Sequence, residues 1–197
     1  MFVGTPLQPM QGDSRDGIDS GGSQIEGSLP LRDGGWVHVR AIHADDTGRL
    51  TAFHRKLSPE SIIFRFFRYV PELSPKDVER FTHVDYESRM ALVATTGEGD
   101  GEEIVGVVRY DRTGPNTAEV AFVVEDHWQR HGIATALLHR LAAYARERGF
   151  TTFVALTMGN NIRMIEVLRN SGFPCTSRVE LGEVEVHLDI SRDTPVH

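Results

Sequence analysis

Along residues 36–42, WVHVRAI, apolar and polar positions alternate, with Val37 and Val39 on one face, and the pattern predicts a strand. The period then becomes helical, with Leu50, Phe53 and Leu57 recurring through ADDTGRLTAFHRKL. Two short helices follow, each opened by the same device. Ser58–Pro59 and Ser74–Pro75 each supply a side-chain oxygen as N-cap and a proline at the first helical position. RMALVATT and EIVGVVRYD read as strands joined by the turn-rich GEGDG. TAEVAFVV, residues 117–124, is a further strand. A helix is expected from Ile133 to Arg148, because Ile133, Leu137, Leu138, Leu141 and Tyr144 form one apolar stripe. Gly149 then stands where a left-handed C-cap belongs. FTTFVALT is rich in β-branched and aromatic residues and reads as a strand. NNIRMIEVLRNSG is a second helix ending at Gly172, and SRVELGEVEVHLDI is two alternating runs around Gly182.

This order of elements predicts one mixed α/β (α+β) domain, in which a strand, a glycine loop and a long helix are consecutive. Composition changes the picture only at the ends. MQGDSRDGIDSGGSQIEGS has almost no large apolar residues and cannot offset its ordering entropy, so residues 1–30 are expected to be a flexible tail. The domain is expected over 31–191, with 192–197 frayed. No apolar run approaches the ~20 residues of a membrane helix, and no secretory signal is visible. Cys175 is the only cysteine, which excludes an internal disulfide and fits a reducing cytoplasm. The net charge of −7 argues against non-specific nucleic-acid binding.

Two features in the middle of the chain carry chemistry. Glu119 is a carboxylate inside an apolar strand, a costly position unless the group is solvated, paired or used. Period two alone would turn its side chain to solvent. Downstream, QRHGIA brings a glycine to the start of a helix. Helix N-termini expose free N–H groups and the positive end of the dipole, so such a loop can hold an anion such as a phosphate. It is neither of the familiar glycine-rich nucleotide motifs, since it lacks both GxxxxGK[ST] and GxGxxG. His127 and His131 are four apart, but a metal would need more ligands, and none is expected. His83 and Asp85 in THVDYES are candidates for the acceptor side or plain loop caps. FRFFR reads as core aromatics with a solvated arginine pair.

QRHGIA fits Q-x-x-G-x-A, AEVAFVV precedes it, and NNIRMIEVLRNSGF follows. On these segments the chain resembles the GNAT superfamily of acetyl-CoA-dependent N-acetyltransferases over roughly residues 35–190. The resemblance implies a mixed sheet of about 6–7 strands flanked by about 4 helices, with the family's fourth and fifth strands splayed around pantetheine. It implies that backbone groups of Phe122, Val123 and Val124 bond the pantetheine, with Asn161 on the other side of the gap. Gln129 occupies the loop's first motif position, and the amides of Arg130, His131, Gly132, Ile133, Ala134 and Thr135 would cradle the pyrophosphate. Within AEVAF, Glu119 resembles the general base of family members that acetylate protein lysines. The segment from Leu57 to Ala94 is similar to the GNAT domain of bacterial Pat-type protein lysine acetyltransferases. That similarity implies a protein substrate with a reactive lysine, such as an AMP-forming acyl-CoA synthetase. Such domains are commonly joined to a synthetase-like or cyclic-nucleotide domain, and neither is expected here. The alternatives are a small-molecule amine acetyltransferase and a non-catalytic acetyl-CoA sensor. The tyrosine that protonates the departing thiolate in many relatives falls on Leu168, so no dedicated acid is expected.

Overall fold

The computed structural model describes residues 25–192. One sheet of eight strands runs through it in the order β1-β2-β3-β4-β5-β6-β8-β7. The strands are β1 (Gly27–Pro30), β2 (Trp36–Ala41), β3 (Arg89–Thr96), β4 (Glu103–Arg112), β5 (Thr117–Val124), β6 (Thr152–Met158), β7 (Cys175–Glu180) and β8 (Glu183–Asp189). Every pairing is antiparallel except that of β5 with β6. The helices are α1 (Thr47–Lys56), α2 (Pro59–Phe66), α3 (Pro75–Thr82), α4 (Ile133–Glu147) and α5 (Ile162–Arg169).

The expected mixed fold is thus present, with the five helices read from the pattern and one strand more than its seven. The added strand is β1. Residues 1–24 lie outside the described residues, but 25–30, read as the end of a tail, belong to the fold. β1 pairs with β2 from Gly27↔Val39 to Pro30↔Trp36, and Ile25 is buried in the core. Arg140 of α4 donates to the carbonyls of Ile25, Gly27 and Ser28 at 3.0–3.1 Å. A four-residue edge strand ending in proline has little local signal. It is held by a residue more than a hundred positions away, which periodicity cannot register.

Alternation along the strands feeds two cores. One face of the sheet buries Leu92, Val108, Tyr110, Val120 and Phe122 against Leu137, Leu138 and Leu141 of α4. The other buries Ala91, Val93 and Val107 against Leu50 and Phe53 of α1 and Ile62 of α2. Both Ser–Pro starts form as expected: Ser58 and Ser74 accept from the amides of Ser61 and Asp77. Gly149, just beyond α4, has φ 80°, and the β7–β8 hairpin turns on Leu181 and Gly182, both at positive φ.

Arg40 on β2 anchors the α1 side. It forks onto Asp46 at 2.7 and 2.8 Å and onto Glu102 at 2.9 Å, with Arg49 beside both acids. Asp46 is 1% exposed. Burial works to raise its pKa, but the bonds from Arg40 and the His43 amide outweigh it and hold the carboxyl below its usual range. A carboxyl with a depressed folded-state pKa adds stability above its unfolded value, and that stability is lost as pH falls through the folded one. Removing one partner leaves a buried charge uncompensated. Asp46→Ala is therefore expected to cost roughly 3–5 kcal/mol, read by urea denaturation at pH 7. The difference from wild type should shrink as the pH is lowered below ~4. A Tm unchanged at pH 7 would show that the cluster contributes nothing.

Candidate active site

β5 and β6 run side by side for three residue pairs only, Thr117↔Thr152, Ala118↔Phe153 and Glu119↔Val154. Beyond them the strands part. β6 stays paired with β8 to Met158, and β5 stays paired with β4 to Val124. A wedge-shaped gap opens between them, and Glu119 stands at its apex. Its side chain is exposed and makes no hydrogen bond or ion pair among the described residues. It lies opposite Asp111 of β4 and on the same face as Ala121 and Val123.

The β4 ladder determines which backbone groups face the gap. Pairs in an antiparallel ladder alternate between bonded and non-bonded, and the Glu125 amide donates to the Val105 carbonyl at 2.9 Å. Odd-numbered residues of β5 therefore bond to β4, while Val120, Phe122 and Val124 turn their N–H and C=O toward the gap. Val123, expected to serve a ligand with its backbone, faces β4 instead. The Val124 carbonyl already accepts from the Gln129 side chain at 3.1 Å. Phe122 has both of its backbone groups toward the gap.

The loop after β5 is braced from three sides. Asp126 accepts from the Ser58 amide and from the Ser58 and Ser61 hydroxyls at 2.7–3.0 Å, tying the loop to the start of α2. Burial pulls its pKa upward, and these bonds more than reverse the effect. The Gln129 carboxamide accepts from Arg163 of α5 at 3.0 Å. The His131 ring meets Asp33, at the tip of the β1–β2 hairpin, at 3.1 Å. Arg130 and Gly132 both take positive φ, 68° and 90°, and α4 begins at Ile133 with no side-chain cap. Among the described residues the amides of Arg130, His131, Gly132, Ile133, Ala134 and Thr135 have no acceptor. Six successive free donors at the positive end of a fifteen-residue helix suit a phosphate-bearing ligand. Gly106 on β4 lets Ile133 come close, since a Cβ there would lie 3.2 Å from its Cγ2.

Asn161 lies across the gap, 8% exposed, and caps α5 by accepting from the Met164 amide at 3.2 Å. Its carboxamide NH2 makes no hydrogen bond among the described residues. His83 ends α3 with its ring near the Glu79 carbonyl at 3.1 Å. Asp85 accepts from the amides of Glu87 and Arg89 at 3.0 and 2.7 Å, closing the turn into β3. Among the described residues no cluster of ligating side chains could hold a metal ion, and no helix is long and apolar enough to cross a membrane.

Several neighbours of the site had no sequence signal. Arg32 reaches the loop from the β1–β2 hairpin, its Nε 3.8 Å from where a Cβ of residue 132 would be. Asp33 comes from the same turn. The FRFFR arginines are not a solvated pair: Arg68 is exposed, but Arg65 is half-buried beside the buried Arg109. The helix ends at Phe66 and Phe67 turns to φ 57°, so Arg65 is the last charged residue of α2 and faces the sheet.

Comparison with known proteins agrees with this geometry. The acetyltransferase (GNAT) family model matches residues 59–173. The GNAT domain of S. lividans PAT is 42% identical, with a TM-score of 0.79 over 85% of this chain and 98% of that one. An acetyltransferase of Pseudomonas aeruginosa is 32% identical over 73% of this chain and 77% of its own length. Acetyltransferase Pat of Mycolicibacterium smegmatis is 29% identical over 82% of this chain, which spans only 48% of that protein. The chain therefore belongs to the GNAT family, as an acetyl-CoA-dependent N-acetyltransferase related to Pat.

Proposed function

We propose that the chain transfers the acetyl group of acetyl-CoA to a lysine side chain of a protein substrate, with Glu119 as general base. The observation that carries this reading is the place of Glu119: exposed, unpaired and at the apex where β5 and β6 part. A lysine ammonium has a pKa near ~10.4 and cannot attack while it holds its proton. Glu119, directly or through a water, takes that proton. The freed amine then attacks the thioester carbonyl, a C–N bond forms, the C–S bond breaks, and coenzyme A leaves with the electron pair. A thiolate with a pKa near ~8.5 is a stable leaving group, so no residue has to protonate it in the same step.

The remaining residues position the co-substrate. The loop amides from Arg130 to Thr135 hold its pyrophosphate, the Phe122 backbone extends the sheet to its pantetheine, and Asn161 bonds it from the far side. Gln129 holds the loop open by bonding Val124 and Arg163. The likeness to Pat supports a protein substrate, and an AMP-forming acyl-CoA synthetase is the class favoured by the similarity over Leu57–Ala94. Incubation of candidate synthetases with radiolabelled acetyl-CoA, followed by mass-spectrometric site mapping, tests this. Label on a lysine is the expected result, and label on free amines only would overturn the substrate class.

The transfer is direct and has no acyl-enzyme. Leu168 is fully buried in the core. The Tyr144 hydroxyl donates to the Tyr86 carbonyl at 2.7 Å, a structural bond inside the fold. Cys175 is exposed on β7, the strand at the edge of the sheet. Tyr144→Phe is expected to lose about 1 kcal/mol of stability and keep most of its turnover. Cys175→Ala should match wild type in both. An acetyl group trapped on Cys175, or turnover lost in a folded Tyr144→Phe, would overturn direct transfer.

A further inference from the structure

α1, α2 and α3 enclose an apolar pocket against the Glu119 face of β4 and β5, lined among others by Phe53, Leu57, Val107, Ala121 and Val123. Two guanidinium groups reach into it, from Arg65 and Arg109. Arg109 is 8% exposed, and one of its five N–H donors is used, to the Phe81 carbonyl at 3.2 Å. The Phe81 ring covers one of its faces at 4.4 Å, and Phe66 lies 5.1 Å from Arg65. Neither arginine forms an ion pair among the described residues; the nearby Asp111 is 3.9 Å from Arg80 instead. Burial, and then the like charge of Arg65, push the Arg109 pKa down to about 9. The charges of Glu119 and Asp111 act on Arg65, and that of Asp111 on Arg109, without closing an ion pair with either.

A buried cation without a partner is costly. Rings on the guanidinium faces leave the edges free, and the edge of a guanidinium matches a planar carboxylate. The apolar character of the walls matches that of the methylene stem of an acidic side chain. Ala121 lines the pocket and lies two residues from Glu119 on the same face, a separation of roughly 7 Å. That is also the spacing of side chains two apart on one side of an extended peptide.

We propose that Arg65 and Arg109 bind the carboxylate of an acidic side chain two residues from the target lysine, so that substrate choice is set beside the base. This inference rests on the protein-lysine reading above. It is tested with amidated, N-acetylated five-residue peptides carrying Lys with Glu, or Gln, two positions away. Binding to the protein loaded with coenzyme A is measured by calorimetry, and kcat/KM is measured with acetyl-CoA. The Glu peptide should bind about tenfold or more tightly than the Gln peptide. In Arg65→Met that ratio should fall to near one, and Arg65→Lys should restore part of it. Because Arg65 is only half-buried, this variant tests the pocket without emptying the core at Arg109. Equal binding of the two peptides by wild type, or a ratio untouched by Arg65→Met, would overturn the pocket. So would a preference that follows the free α-carboxylate of lysine instead of the acidic side chain. Acid-dependent binding with no acetylation of any peptide and no lysine label on the candidate synthetases would uphold the pocket and overturn the lysine acetyltransferase reading, so the two fail separately.

Discussion

Glu119→Gln is expected to lower turnover about 10²–10⁴-fold while leaving acetyl-CoA affinity nearly unchanged. The substitution keeps the shape of the side chain and removes only its capacity to accept a proton. The Glu119 side chain makes no hydrogen bond or ion pair among the described residues, so the strand loses no bond. The groups proposed to hold the cofactor lie on the loop from Arg130 to Thr135 and on the Phe122 backbone, and the substitution leaves them intact. What remains is attack by the fraction of lysine already deprotonated. That fraction grows about tenfold per pH unit below ~10.4, so the residual rate should climb with pH where the wild-type rate levels off. Steady-state kinetics over a pH series, with calorimetric cofactor titration, reads both effects. Near-normal turnover at neutral pH would remove Glu119 from the mechanism.

Gly132→Glu is expected to abolish detectable acetyl-CoA binding. Two physical effects act together. Gly132 has φ 90°, a conformation in which a side chain costs of order 1 kcal/mol or more. Relaxing that strain shifts the amides of the loop out of the arrangement that the positive φ at Gly132 allows. The added carboxylate then sits at a helix N-terminus among donors aimed at a ligand that is itself an anion. Open space around the Cβ direction, where only Arg32 lies within 4 Å, means that crowding is not the cause. Gly132→Ala separates the effects, since it keeps the strain and omits the charge; its loss should be intermediate. Circular dichroism checks the fold. Unchanged affinity in a folded Gly132→Glu would remove the loop from cofactor binding.

Local chemistry made much of this architecture legible before any coordinates. The Ser58–Pro59 and Ser74–Pro75 starts, the α4 stripe and the period-two strands all involve partners a few residues apart, and all form in the structure. The loop at Gly132 could be found for the same reason. What stayed hidden depends on distant pairs. β1 exists because β2 and Arg140 hold it. Arg65 looked solvated because FRFFR does not reveal that α2 stops at Phe66 and turns its last arginine toward Arg109, 44 residues along the chain. Nor does the spacing of β5 show that its bonding to β4 points the Val123 backbone away from the gap.

Among the described residues, the three residue pairs joining β5 to β6 are the sole direct ladder between a five-stranded block, β1 to β5, and a three-stranded block, β6 to β8. Each block is internally laddered along its length, so hydrogen exchange should be slow within each and fast along the boundary between them. In the proposed binding mode a co-substrate lies between the blocks and would work as a removable strand that fastens one to the other. Occupancy and rigidity then rise together, because a ligand held only by the closed arrangement stabilises that arrangement by mass action. The enzyme would be stiffest when charged with its acyl donor and loosest after coenzyme A departs, a cycle of firmness driven by the reaction itself.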